Sequence, residues 1–314
     1  MQPNLNFVSF AVSVIGPVIV MIAFGYGLYR YGTLDDAFVE KASRLVFNFA
    51  LPALLFSTIS TSSVGQLANF TVIGAGMAGT LLVFVAMLLT TSVLIKNKQD
   101  RGVVIQGSFR SNMGIIGLAY CANAYGSEGL AYGSVYLGGL TILYNLLSVA
   151  VLNVYQDKQS SYIKIAKDIV TNPIILSIVA GLLISILAVK LPQIATNSIQ
   201  YFAQLTLPLA LLCTGAALRF STMRQNGLAS LFSITVKCVV YPIVIVAFAV
   251  LAGVEGMALM IVFLMAISPT AAASYVMARK IGGNHELAAQ IIAISTVVSV
   301  PFTLAGFAII RAFV

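Results

Sequence analysis

Long apolar runs separated by short polar breaks dominate the chain. A helix needs about 20 apolar residues to cross the hydrocarbon core of a bilayer. Ten segments of that order can be read: 7–30, 37–60, 68–95, 102–124, 128–154, 168–189, 194–219, 227–250, 254–280 and 285–313. The pattern predicts an all-α polytopic membrane protein with ten transmembrane helices. The breaks are short, and only the stretch Tyr155-Gln156-Asp157-Lys158-Gln159-Ser160-Ser161 reads as a linker. It falls at mid-chain. The chain therefore divides into a first set of five segments in 1–155, a linker in 156–167 and a second set of five in 168–314.

One offset, 156 residues, matches the two sets without a gap. Pro17 falls on Pro173, Gly25 on Gly181, Leu51-Pro52 on Leu207-Pro208, Thr58 on Thr214 and Gly126 on Gly282. Polar residues coincide as well, Asn48 with Gln204 and Asn112 with Ser268. Five segments is an odd number, so a second copy enters the membrane from the opposite side. Such an inverted repeat is the architecture of many secondary transporters. The alternative is coincidence among Gly, Pro and Leu in apolar sequence.

Two segments are interrupted. The fourth contains Gln106-Gly107-Ser108-Phe109-Arg110-Ser111-Asn112-Met113-Gly114, with small and polar residues near its middle. Ser and Asn compete for backbone hydrogen bonds, and Gly weakens a helix by about 1 kcal/mol. The ninth contains Ala266-Ile267-Ser268-Pro269-Thr270-Ala271. Pro269 lacks an N–H and clashes with the carbonyl four residues back, at a cost of about 3 kcal/mol in a helix interior. Both segments are expected to break near the membrane midplane. Unwound backbone at that depth must be buried in protein or line a cavity, and paired breaks are the best sequence pointer to a transporter's binding site. The competing reading is a pair of structural kinks.

Composition and charge agree with a membrane chain. Apolar residues make up 60% and charged residues 8%, against about 25% charged in a soluble domain. The net charge of +8 does not gather on one face as a nucleic-acid surface requires. Lys and Arg instead sort by side. Thirteen lie at the breaks after odd-numbered segments, two (Lys190 and Arg311) at the other side, and two (Arg110 and Lys237) inside segments. The odd breaks are thus read as cytoplasmic, with both termini outside the plasma (inner) membrane. No positive charge precedes the first apolar run, so a cleaved signal peptide is not expected. Cys121, Cys213 and Cys238 lie in apolar runs without metal-ligand spacing, and His285 is the one histidine. Neither a metal site nor a cofactor is expected. A membrane enzyme would need a nucleophile, base or metal at depth, and the chain supplies little of that chemistry.

The intramembrane charges point to a ligand class. Arg110 lies nine residues past Arg101, about 13 Å deeper at 1.5 Å per residue, and Lys237 lies in mid-segment. A cation at that depth faces a cavity or a partner. All nine acids sit in loops or near segment ends. Two cations without a carboxylate, together with the positive ends of half-helices at the breaks, favour an anion. For Lys237 the alternative is structural: its ammonium caps carbonyls freed by a broken helix. For Arg110 the alternative is snorkelling towards the cytoplasm. The candidate binding residues are Arg110, Ser111, Asn112, Met113, Asn145, Ser57, Ser268, Pro269 and Thr270. The candidate structural residues are Asn48, Pro52, Gly114, Gln204, Pro208 and Lys237. Asn48 and Gln204 each stand four residues before a repeat-matched proline. A sodium site built from carbonyl, Ser, Thr and Asn oxygens, or proton coupling, is an open alternative.

The stretch from Gln106 to Leu118, followed by Ala124-Tyr125-Gly126, resembles the fourth span of the auxin efflux carrier family. So do Phe47-Asn48-Phe49-Ala50-Leu51-Pro52-Ala53-Leu54-Leu55-Phe56 and Ser268-Pro269-Thr270-Ala271-Ala272-Ala273-Ser274. The resemblance covers nearly the whole chain, and the short central linker is similar to that of prokaryotic members. It implies two inverted five-helix repeats with crossed broken helices four and nine, as in the bile acid–sodium symporter fold. It implies a scaffold of spans 1, 2, 6 and 7 that offers a homodimer surface, and a transport domain of spans 3–5 and 8–10. It implies an elevator-type carrier of organic carboxylates such as malonate, malate or indole-acetate, with Asn112 against the substrate carboxylate. Ser268 departs from the amide-rich crossover of plant members, which argues against auxin itself.

Overall fold

The computed structural model describes residues 3–61, 70–156, 167, 170–218 and 227–310, with side chains from Ser9 onward. The expected linker lies outside the described residues apart from its two ends, as do the breaks near residues 62 and 222, Asp168 and Arg311. In chain order the helices are α1 Pro3–Arg30, α2 Asp36–Leu45, α3 Leu51–Ser60, α4 Phe70–Leu94, α5 Lys98–Phe109, α6 Leu118–Tyr155, α7 Pro173–Ile186, α8 Gln193–Ala216, α9 Gly227–Thr235, α10 Tyr241–Leu251, α11 Gly256–Ile267, α12 Ala273–Ile281 and α13 His285–Ile310. Three π-helical turns adjoin them, Val46–Ala50, Met113–Gly117 and Val236–Val240. Among the described residues no strand occurs beyond a single isolated bridge, Ser111 with Thr270.

Among the described residues seven helical stretches are long and apolar enough to cross a membrane: Ser9–Arg30, Asp36–Ser60, Phe70–Leu94, Met113–Tyr155, Gln193–Ala216, Gly227–Leu251 and His285–Ile310. Ten apolar segments yield seven such stretches for local reasons. Met113–Tyr155 spans 43 residues because it holds the end of the fourth segment and all of the fifth. The two are separated by a non-helical step at Tyr125 (φ −135°, ψ 17°) and Gly126 (φ 59°, ψ −139°). Only glycine takes that left-handed φ without strain, and its repeat match, Gly282, ends α12 at φ 91°. The sixth segment keeps 14 helical residues in α7, which starts at Pro173 behind an Asn172 cap (Ile174 N–H to Asn172 Oδ1, 2.9 Å). Its repeat match Pro17 lies inside α1 instead. The ninth segment is cut into α11 and α12.

Two of the π-helical turns precede a proline. Pro52 has no N–H to offer the carbonyl of Asn48, and the ladder widens so that Leu51 N–H reaches Val46 O. Ahead of Pro242 the same happens, and Tyr241 N–H reaches Val236 O. A proline that removes a bond and crowds the preceding turn is the physical cause of both.

The chain forms two compact units. The first comprises 1–69, 114–138 and 168–218, the second 70–113, 139–167 and 219–314, so the border runs inside the fourth and fifth segments. In the first unit α1 packs on α8 and α3 on α7. Glycines make these approaches: a Cβ on Gly25 would run into the Leu212 backbone, one on Gly215 into that of Ile22, and one on Gly181 would lie 3.2 Å from the Phe56 carbonyl. Small residues allow such closeness where lipid replaces water as the competing solvent. In the second unit two short helices are the most enclosed. Every residue of α11 from Leu259 to Ile267 is buried, and every residue of α5 from Gly102 to Phe109. The first is apolar throughout, and a helix apolar on all sides belongs in a buried position. The second carries Gln106 and Ser108 inside the core.

Candidate functional site

The site lies within the second unit, where α5 and α11 both stop. Helix α5 ends at Phe109 because Arg110 is extended (φ −80°, ψ 92°). Helix α11 ends at Ile267 because Ser268 precedes a proline and is driven out of the helical region (φ −49°, ψ 138°). The two extended segments run antiparallel and exchange two backbone hydrogen bonds, Asn112 N–H to Pro269 O at 2.7 Å and Ala271 N–H to Arg110 O at 2.9 Å. Side chains complete the crossing. Thr270 Oγ1 donates to Gly107 O (2.7 Å), Ser111 Oγ to Ala266 O (3.1 Å), and the Thr270 N–H goes to Ser295 Oγ (3.1 Å). The carbonyls of Gly107, Arg110, Ala266 and Pro269 are thus paired inside protein, as unwound backbone away from water requires.

Two buried cations border the crossing. The Arg110 guanidinium turns onto α6, where Nη1 donates to Tyr144 O (3.2 Å) and Ser148 Oγ (3.0 Å), and Nη2 to Asn145 Oδ1 (2.9 Å). Residues 144, 145 and 148 share one helix face by their i, i+1 and i+4 spacing, and the planar fork of arginine suits them. Lys237 lies in a π-helical turn and is wholly buried. Its Nζ donates to Ala266 O at 2.7 Å and stands 4.7 Å above the Tyr241 ring. Ala266 O therefore receives both Lys237 and Ser111.

Two tyrosines join the cations. Thr80 Oγ1 donates to Gly76 O (2.7 Å), so Tyr241 OH is the donor to Thr80 (3.0 Å) and Tyr144 OH the donor to Tyr241 (2.5 Å). Arg110 holds the carbonyl of Tyr144, and Lys237 covers the ring of Tyr241. Among the described residues the ion pair is Arg44 with Glu40 on an exposed surface, and no Asp or Glu reaches Arg110 or Lys237. Nor does any group of three His, Cys, Asp or Glu come together there.

The residues singled out from sequence fall into three groups. Arg110, Ser111, Asn112, Ser268, Pro269, Thr270, Asn145 and Lys237 are brought together in the second unit, with Met113 buried beside them. Their chemistry is unequal. Ser268 Oγ turns back to its own helix at Leu264 O (2.8 Å), and Asn145 serves Arg110. The Asn112 side-chain amide has no hydrogen bond to another described residue, although its backbone N–H is paired. The second group lies in the first unit. Ser57 Oγ donates to Gln200 Oε1 (3.0 Å). Asn48 and Gln204 present exposed side chains, Pro52 follows its π-helical turn, Pro208 sits inside α8, and Gly114 continues the chain past the crossing. The third group went unnoticed in the sequence: Tyr144, Ser148, Ser295 and Thr80. The i, i+4 spacing of Tyr144 and Ser148 around Asn145 was the signal available for the first two.

A family model described as "Membrane transport protein" matches residues 10–305. An "Uncharacterized transporter" of Methanothermobacter thermautotrophicus is 22% identical over 284 residues, covering 90% of this chain and 92% of the relative. A "Putative malonate transporter" of Rhizobium meliloti is 24% identical over 289 residues, covering 88% and 90%. The family and both relatives are transporters and not enzymes. A chain of apolar helices matched from residue 10 to residue 305 is an integral membrane protein, and it belongs to the membrane transport protein family, that of the auxin efflux carriers.

Proposed function

We propose that the protein is a secondary carrier of small organic anions, carboxylates of the malonate and malate type. The observation that carries this reading is a pair of buried cations, Arg110 and Lys237, beside a helix crossing with no acidic side chain in reach among the described residues. Fixed positive charge without a fixed counter-charge calls for a mobile one. The name of the Rhizobium relative supports malonate as the first anion to try. Asn112 supplies the neutral donor, since its amide has no partner within the described protein while its backbone is held by Pro269. The chain has ten membrane segments in two inverted halves and lies in the inner membrane with both termini outside. The first unit serves as scaffold, and as the surface for a second copy. The second unit, which holds the whole crossing, moves past it in elevator fashion.

The test is a thermal-shift titration of purified protein with malonate, malate and indole-acetate, since a ligand that binds the folded state raises its melting temperature. Malonate should stabilise the wild type. In Asn112→Ala, affinity should fall by about 1–3 kcal/mol, the cost of a lost or unmatched hydrogen bond, with the ligand-free melting temperature unchanged. Absence of a shift with any of the three acids would remove the carboxylate reading.

A further inference from the structure

We infer that the Lys237 ammonium is a tethered counter-cation, occupying a monovalent-cation position built into the helix crossing, so that no dissociable sodium ion is needed there. Three kinds of group surround its Nζ, and each is what a small cation binds. Ala266 O lies at 2.7 Å. The ring face of Tyr241 lies at 4.7 Å, within cation–π range. The third is the end of α11 itself, which stops one residue beyond Ala266 and carries the negative pole of its helix dipole. No carboxylate among the described residues shares the position, so within the protein only dipoles face the ammonium and its net charge stays uncompensated.

The carbonyl oxygens of the crossing each accept a hydrogen bond already, and Ala266 O, the one against Nζ, accepts two. Gly107 O takes the Thr270 hydroxyl, Ala266 O takes Lys237 and Ser111, Arg110 O takes the Ala271 N–H, and Pro269 O takes the Asn112 N–H. A hard cation collects several oxygen ligands, and at this crossing the covalently attached ammonium has taken the place of one. Lys237 is thus a positioning residue. It holds the end of α11 in the crossing through Ala266 O. The consequence for coupling rests on the carrier reading above. The measurement of the cation position itself needs no substrate.

The test uses full-length protein in detergent. Wild type should melt at the same temperature in sodium, potassium and choline chloride, and malonate should shift it equally in all three. Lys237→Ala removes the four side-chain atoms that propylammonium reproduces. This variant should melt several degrees lower and regain much of the loss with propylammonium or with sodium, but not with 1-propanol, which fills the space without charge. Stabilisation of wild type by sodium alone among the three salts would overturn the inference. So would a Lys237→Ala protein that melts like wild type, or one restored equally by 1-propanol, or one restored by neither cation. If Lys237→Ala does not fold, the wild-type salt comparison still decides. If malonate shifts nothing in any salt while the melting results hold, the carboxylate reading fails and the cation position stands.

Discussion

Ser111 and Thr270 face each other across the bridge, and each hydroxyl caps the carbonyl that its partner's N–H would have used in an unbroken helix. Ser111 Oγ reaches Ala266 O, four residues before Thr270, and Thr270 Oγ1 reaches Gly107 O, four residues before Ser111. The two backbone bonds beside them obey the same exchange, since adding 159 to one set of residue numbers produces the other. The offset that aligns the sequence halves is 156. The crossing itself exchanges at 159, so Asn112 answers to Ala271 there, where the sequence matches set it on Ser268.

The two caps are unequal. Ala266 O keeps Lys237 when Ser111 is truncated, whereas Gly107 O loses its side-chain donor with Thr270. Thr270→Val should therefore destabilise by about 1–3 kcal/mol, the penalty for a buried acceptor left without a partner, and Ser111→Ala by less. Thermal melting of the two variants checks the order. A Ser111→Ala protein that melts well below Thr270→Val would contradict it.

The guanidinium of Arg110 holds a carbonyl, a hydroxyl and an amide oxygen at once. Lysine preserves the charge but cannot span the three. Arg110→Lys is expected to lose about 1.5–3 kcal/mol of stability, on the scale of hydrogen bonds to charged groups, and to keep part of its malonate affinity. Arg110→Gln should lose most of that affinity. Malonate binding to Arg110→Gln as tight as to wild type would separate Arg110 from the anion.

Two glycines two residues apart, on opposite faces of α1, make a control for packing in the first unit. A methyl on Gly25 would enter the Leu212 backbone, which no rotamer change relieves, while one on Gly27 meets nothing within 4 Å. Gly25→Ala should drive α1 from α8 and cost several kcal/mol, beyond the 1–3 kcal/mol typical of overpacking that side chains can absorb. Gly27→Ala should melt within a degree or two of wild type. Equal melting temperatures for the two variants would refute the close approach.

Topology is open to a labelling experiment. All three native cysteines are buried, so background is low, and Lys96 is exposed between α4 and α5. A Lys96→Cys protein should resist an impermeant maleimide in intact cells and react after permeabilisation. Labelling in intact cells would invert the orientation.

Hydrophobic periods, breaks and charge placement were legible in the chain because each is a local consequence of residue type. Membrane helices need long apolar runs, so the segments declare themselves. Pro269 must end a helix in any context, since it lacks an N–H. The cluster Gly107 to Asn112 interrupts its segment for similarly local reasons, and the absence of acids from the middles of the apolar runs is a matter of counting. What each freed group found as a partner was not legible. Nothing in the spacing announces that Thr270 caps Gly107, that Arg110 turns away from the crossing onto Tyr144, Asn145 and Ser148, or that Lys237 reaches Ala266 from 29 residues away. Buried Asp100, grouped with the loop acids from sequence, accepts hydrogen bonds from Asn97 and Asn284, the second a residue 184 positions distant. A buried polar group must find some partner. Which one depends on the close packing of helices far apart in sequence, and that packing exists only once the chain has folded.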